Sequence, residues 1–264
     1  MNREWSKAVL KQKKVLRQPS FDGRYRMRIN KYLSGCGLCS RREADRLVEK
    51  GCVTVNGRQA AAGMQVEASD HVCVNGREVH LEEQKVYLRF YKPRGIVCTS
   101  DRDEKNNLTD FLDYPKRITY AGRLDKESEG LLLLTDDGEL IDRMMRARNC
   151  HEKEYEVSVD RKIKDSFLEI MKKGIYLEEL GVTTRPCQAV RTGEKSFRII
   201  LTQGLNRQIR RMCEAEGYHV CTLKRVRVVN LTLDGLRPGE YRELTEAELQ
   251  KLQETVKRQE IKHG

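Results

Sequence analysis

Long apolar runs are missing from this chain of 264 residues. The longest, Leu131 to Leu134, has four residues, where a membrane-spanning helix needs about 20. The N-terminus also lacks the apolar core of a secretory signal. A cytoplasmic protein with no membrane partner is expected. Metal-binding patterns are equally thin. Cys36 and Cys39 form one CxxC, but no second CxxC completes a zinc site, and the nine cysteines are scattered along the chain. A thioredoxin-like pair would follow a strand and open a helix. This pair lies between two short helical patterns, so the thiols read as ordinary buried groups. His71, His80, His151, His219 and His263 do not cluster, and no P-loop occurs. No metal and no cofactor are expected.

Positive charge is what the chain has in excess. Lys and Arg number 51 against 40 Asp and Glu, a formal net charge of +11 and a pI near 9.2. A polyanion is the natural partner for such a surface. The length allows one or two domains. The hydrophobic fraction of 38% is low for one compact domain, and the charged fraction of 34% is high.

The organisation changes along the chain. Residues 1–25 are polar, with Lys11, Lys13 and Lys14 close together, and read as a flexible basic arm. Residues 26–85 hold a small unit with two short helical patterns. Ile29 and Leu33 give one apolar face. Ser40-Arg41-Arg42-Glu43 matches a capping box, so Ser40 should cap a helix running to about Lys50, with Ala44, Leu47 and Val48 facing inward. Short strands are predicted at Val53–Val55 and Val72–Val74, followed by the turn signals Asn56-Gly57 and Asn75-Gly76. From residue 86 the pattern is mixed. Strands are predicted at Lys85–Tyr91, Ile118–Ala121, Leu131–Thr135, Tyr155–Val159, Phe197–Leu201 and Val226–Leu233. Helical patterns fall near 139–148, 161–173 and 206–216. An α+β domain on a mainly antiparallel sheet with flanking helices is expected over 86–255. A second capping box, Thr245 to Glu248, opens an apolar stripe of Leu249, Leu252 and Val256, and residues 256–264 read as a C-terminal tail.

Four constellations carry candidate chemistry. Arg41 and Arg42 occupy the first turn of the Ser40 helix, where cations oppose the macrodipole. With the free N–H groups of that terminus they suit a phosphate, and Arg28 and Lys31 could extend the site. "MRINKYLSGCGLCSRREADRLVEKGCVTVNG" resembles the S4 RNA-binding domain, whose RRE-bearing helix and its neighbour hold structured RNA. That resemblance alone does not imply an enzyme. Second, Asp125 lies in the glycine-bracketed loop Gly122-Arg123-Leu124-Asp125 between two apolar strands, with Arg123 beside it as countercharge or phosphate contact. Third, in Gln203–Met212 a spacing of about 100° per residue puts Arg207, Arg210 and Arg211 on one face and Ile209, Met212 and Cys213 on the other. An exposed arginine stripe is expected, with no acidic partner four residues earlier. Fourth, Tyr155 shares a strand face with Val157 and Val159, so it is either core or a wall on which a base stacks.

Together these segments resemble the RsuA/RluB/RluE/RluF family of ribosomal RNA pseudouridine synthases. "YKPRGIVCT", "GRLDKESEGLLLLTDDG", "HEKEYEV", "QGLNRQIRRMCEAEGYHV" and "VVNLTLDGLRPGEYRELT" occur in that family's order over about residues 26–255. The wording of "RNCHEKEYEV" and "QGLNRQIRRMCE" is most similar to the RluF branch, which modifies large-subunit ribosomal RNA. The resemblance implies Asp125 as catalytic aspartate, Tyr155 as active-site tyrosine and Arg210 as the basic partner of the aspartate. Arg123, Asn206 and Arg207 are candidates for RNA backbone contacts or loop positioning, and Arg211 is a further candidate RNA contact. The resemblance also implies ribosomal RNA as partner, with transfer RNA left open, and an S4 domain followed by a catalytic domain; a monomer is expected. Two other classes stay open on the residues: a noncatalytic S4-bearing ribosome-binding protein, and a glycosidic hydrolase using Asp125. The hydrolase would need a second carboxylate, for which Glu127 and Glu129 are near in sequence.

Overall fold

The computed structural model of the chain describes residues 26–67, 69–81, 84–99, 101, 103–146 and 149–263; the basic arm expected over residues 1–25 lies outside them. The chain divides into two compact units, Met1–Lys85 and Val86–Gly264.

In the first unit, β1 (Met27–Arg28) leads into α1 (Ile29–Gly35) and α2 (Arg41–Glu49). Strands β2 (Val53–Val55), β3 (Arg58–Gln59), β4 (Gln65–Val66), β5 (Val72–Val74) and β6 (Arg77–Glu78) follow. β1 pairs with β4, and the rest form an antiparallel sheet in the order β3-β2-β5-β6. Ser40 caps α2 as its position predicts, its Oγ accepting from the Glu43 N–H at 3.1 Å. The Glu43 carboxylate pairs with Arg46 at 3.0 Å. Burial of Ala44 and Val48 turns α2 toward Ile29 and Leu33 of α1 and toward Val53, Val55 and Val72 of the sheet. Asn56-Gly57 and Asn75-Gly76 all have positive φ, the geometry that a two-residue hairpin turn requires.

The second unit runs β7 (Tyr87–Lys92), α3 (Leu108–Leu112), β8 (Thr119–Tyr120), β9 (Glu129–Thr135), α4 (Gly138–Met145), β10 (Lys153–Val159) and α5 (Asp165–Lys173). It continues through β11 (Tyr176–Leu177), β12 (Val182–Thr183), β13 (Gln188–Gly193), β14 (Ser196–Leu201) and α6 (Gln208–Ala215). It ends with β15 (Val220–Val228), β16 (Leu231–Thr232), β17 (Tyr241–Glu243) and α7 (Glu246–His263). The main sheet has the order β13-β14-β10-β15-β9-β7-β17, with β16 on β15 and β8 on β9. It is antiparallel except where β15 meets β9, a short parallel junction placing Lys224 opposite Glu129 and Arg225 opposite Gly130. Two apolar clusters flank that junction. One joins Phe167, Met171, Phe197, Ile199, Ile209 and Met212. The other joins Leu88, Phe90, Leu124, Leu132 and Leu134. Tyr155 packs against both.

Several elements differ from their sequence expectation for local reasons. The strand expected over Val226–Leu233 is two strands: Val229 takes φ 54°, and the chain reverses so that Val228 faces Leu231. Both arms alternate apolar and polar residues, and the turn at Val229-Asn230 has no glycine or proline to mark it. β13 carries one buried side chain in six, Ala189, and as the sheet's edge has no inward alternation to betray it. α5 starts at Asp165 rather than 161. The Thr245 capping box forms in full, with Thr245 N–H to Glu248 at 2.9 Å and Glu248 N–H to Thr245 Oγ1 at 3.2 Å. The expected tail at 256–264 is instead the continuation of this helix as far as His263, with Val256 fully buried.

Candidate active site

Gly122 to Ser128 is a loop that enters β9, and nearly every residue of it is held from outside. Arg225, 1% exposed, donates from Nη2 to Gly122 O at 3.2 Å and from Nε to Leu131 O at 2.8 Å. The Leu124 N–H points at the Cys98 sulfur at 3.5 Å. The Gly95 N–H donates to Lys126 O at 2.7 Å. Lys92, fully buried, donates to Ser128 O and to Pro93 O, both at 2.8 Å. Burial draws the Lys92 pKa down to about 8, opposed by the Cys98 sulfur and by the carboxylates of Asp125, Glu127 and Glu129. Arg210 donates to Ser128 Oγ at 3.4 Å and Glu127 O at 3.5 Å. A loop pinned this way holds Asp125 in one place at no cost in ordering when substrate arrives.

Asp125 is half-buried on the wall of a cleft of about 470 Å³. Tyr155, Arg123, Asn206 and Arg207 line the same cleft, together with Lys153, Gln203 and Arg225. Five residues named from the sequence are therefore brought together from β10, the loop before β9 and the loop before α6. Among the described residues, the Asp125 carboxylate accepts no hydrogen bond and forms no ion pair.

Arg210 departs from the exposed stripe expected of it. It is 7% exposed. At about 100° per residue it lies roughly 60° from Cys213, so burying Ile209, Met212 and Cys213 carries Arg210 to the margin of the buried face. Its pKa is lowered first by burial and then by Arg207, while Asp125 and Glu127 oppose the shift. Its hydrogen bonds go to the loop and to Val220 O rather than to the Asp125 carboxylate. The missing acidic partners come from afar in sequence. Arg207, at φ 51° just before α6, pairs with Glu127 at 3.3 Å. Arg211 pairs with Glu179 and donates to Asn206 O at 3.1 Å. Glu127 is thus engaged, Glu129 accepts from the Tyr91 hydroxyl at 2.9 Å, and neither lines the cleft where a hydrolase would need a second carboxylate.

Arg28, Lys31, Arg41 and Arg42 belong to the first unit. Arg28 precedes α1 as its N-cap residue, and Arg41 and Arg42 stand exposed on the first turn of α2. Lys92, Lys153 and Arg225 were not identified from the sequence. Lys92 lies within the "YKPRG" segment, and Lys153 precedes Tyr155 by two, the strand period; nothing local marks Arg225. Among the described residues no group of three or more His, Cys, Asp or Glu is placed to hold a metal, and no helix is long and apolar enough to cross a membrane.

Residues 86–215 match the family described as RNA pseudouridylate synthase, and residues 27–72 match the S4 domain. The chain is 49% identical over 224 residues to the dual-specificity RNA pseudouridine synthase RluF of Salmonella typhi, spanning 84% of this chain and 77% of that one. It is 37% identical over 232 residues to the ribosomal large subunit pseudouridine synthase B of Bacillus subtilis (strain 168), spanning 85% and 95% of the two. A crystal structure of a pseudouridylate synthase aligns with a TM-score of 0.64 at 28% identity, covering 86% of this chain and 99% of that one.

Proposed function

Because this chain belongs to the RNA pseudouridylate synthase family and carries an S4 domain, we propose that it isomerises a specific uridine of large-subunit ribosomal RNA to pseudouridine, with Asp125 as the attacking carboxylate. The observation that carries this reading is the pinned loop, which presents an Asp125 carboxylate free of hydrogen bonds to a cleft walled by Tyr155.

The target uridine leaves its stack and enters the cleft. Ionised Asp125 attacks ribose C1′, or takes the C2′ proton so that a glycal forms. Uracil departs, turns, and rejoins through C5. Tyr155 stacks on the ring and assists loss of the C5 proton. Arg210 acts through the loop, holding Ser128 and Glu127 so that Asp125 keeps its place. Arg123, Asn206 and Arg207, at the cleft, contact the RNA backbone. The reaction gains and loses no atoms overall, so it needs no cosubstrate.

Asp125→Asn tests the assignment because it keeps shape and removes charge. Turnover should fall below detection while RNA affinity stays within about tenfold, ~1.4 kcal/mol. Substantial turnover by the Asn variant overturns it. Carbodiimide mapping of ribosomal and transfer RNA, with and without the protein, identifies the modified uridine. A product of unchanged mass separates isomerisation from hydrolysis.

A further inference from the structure

The cleft contains a cation that this scheme leaves idle. Lys153 opens β10 two residues before Tyr155, so the two side chains rise from one face of the sheet, and both line the cleft. Lys153 is 9% exposed. An ammonium can donate three hydrogen bonds; among the described residues this one makes a single bond, to His151 O at 3.3 Å. The charge that acts on it is another cation, Arg225, and no carboxylate of the described residues pairs with it. A buried ammonium without a counter-ion is costly, and a fold keeps such a group where a ligand answers it. A second donor in the cleft is also idle. Gln203 Nε2 is buried without a partner, and the bond from the Arg185 N–H to Gln203 Oε1 at 3.1 Å fixes which end of the amide is left over.

We propose that Lys153 is a catalytic residue that stabilises the departing uracil as an anion, with Gln203 Nε2 as a second donor to the ring's carbonyl oxygens. This rests on the isomerase reading. When C1′–N1 breaks, its electron pair leaves on N1 and spreads over O2 and O4. C1′ is then satisfied by a bond to an Asp125 oxygen, or by a C1′–C2′ double bond with the C2′ proton held on Asp125. The turned ring uses its electron pair to bond C5 to C1′, and Asp125 returns to its starting form. C5 loses its proton and N1 gains one, so product and substrate have the same atoms. Full negative charge sits on the ring only between cleavage and rejoining. A cation fixed beside the ring therefore favours that interval over the bound, neutral uridine.

Lys153→Met keeps length and packing and removes the charge. The measurement is the single-turnover loss of starting nucleoside in two target RNAs, one with uridine and one with 5-fluorouridine at the modified position. Fluorine makes the ring a better leaving group and so reduces its need for a cation. RNA affinity should stay within about threefold, and the rate on uridine should fall about a hundredfold. The deficit on 5-fluorouridine should be smaller by about tenfold. Lys153→Arg, which retains charge, should recover part of the rate, and Lys153→Gln provides a second neutral variant should Met fold poorly. Equal deficits on both RNAs, a loss confined to affinity as a phosphate contact would give, or an unchanged rate each overturn the proposal. An Asp125→Asn enzyme with substantial turnover would instead defeat the underlying reading, whatever Lys153 does.

Discussion

Tyr155 serves two masters at the residue scale. It fills the seam between two apolar clusters, and it faces the cleft. Tyr155→Phe separates these roles, since the ring and its packing persist while the hydroxyl is lost. The melting temperature should hold within a few degrees, and isomerisation should slow markedly; a Phe variant with the parent rate leaves stacking as the only role. Lys153 makes the complementary case, a residue that weakens the fold. Burial, with Arg225 acting the same way, pulls its pKa from 10.5 to about 8. A lysine with a depressed pKa penalises the folded state fully below pH 8. The penalty is relieved as pH rises from about 8 to 10.5, because the neutral amine no longer resists burial. Lys153→Met should therefore stabilise the protein at pH 7, by up to about 3 kcal/mol, and the gain should shrink toward pH 10. Thermal melts of both proteins at several pH values check this, and a Met variant less stable at pH 7 would refute it. Asp125 and Tyr155 were picked out in the sequence by the family-like segments that carry them, and both line the cleft. Lys92, Lys153 and Arg225 were not, because their import comes from burial, and a lysine or arginine in a charge-rich chain looks solvated until the fold is known.

Elements were legible where a few adjacent residues carry the signal. The Ser40 and Thr245 caps, the Asn-Gly hairpins and the Leu131–Leu134 strand follow from rules that act over a few residues. The edge strand β13 and the β15–β16 reversal were not legible, since one lacks alternation and the other turns at Val229-Asn230 with no glycine or proline to mark it. The parallel contact of β9 with β15 is a third such case, and the candidate site depends on it. Gly130 has φ 114°, and a Cβ there would come within 2.3 Å of Arg225 O and 2.6 Å of Arg225 N. Those are backbone atoms in the middle of a strand and have no room to yield. Gly130 is thus what lets the two strands close, and closure lets Arg225 reach Gly122 O and Leu131 O. Gly130→Ala should destabilise the protein by at least about 3 kcal/mol, backbone strain and overpacking combined. A lowered urea midpoint would report this. The protein that remains folded should turn over more slowly, because the loop bearing Asp125 loses its anchor. A variant with an unchanged midpoint would show that the junction tolerates separation.

At the scale of the whole molecule, the excess positive charge is a statement about RNA. The sequence conveyed it directly, while which cations meet phosphate depended on the fold. In the second unit two of the arginines expected at RNA also carry a carboxylate partner, Arg207 with Glu127 and Arg211 with Glu179, which a phosphate must displace or share. In the first unit Arg41 and Arg42 lie exposed on the first turn of α2. There the helix dipole opposes them and an anion relieves them. Arg41→Ala with Arg42→Ala should remove about two phosphate contacts, and the salt slope of log K should become shallower by roughly 1.4 at ~0.7 per contact on single-stranded regions. The helix should persist, since Ser40 still caps it through the Glu43 N–H and alanine favours helix. Activity on full ribosomal RNA should drop at limiting substrate, because fewer phosphates are held. At saturating substrate it should change much less, because Asp125 and the groups that pin its loop belong to the other unit. A salt titration of binding beside a substrate saturation curve measures both. An unchanged slope, or a loss confined to the saturated rate, would show that these arginines do not dock RNA.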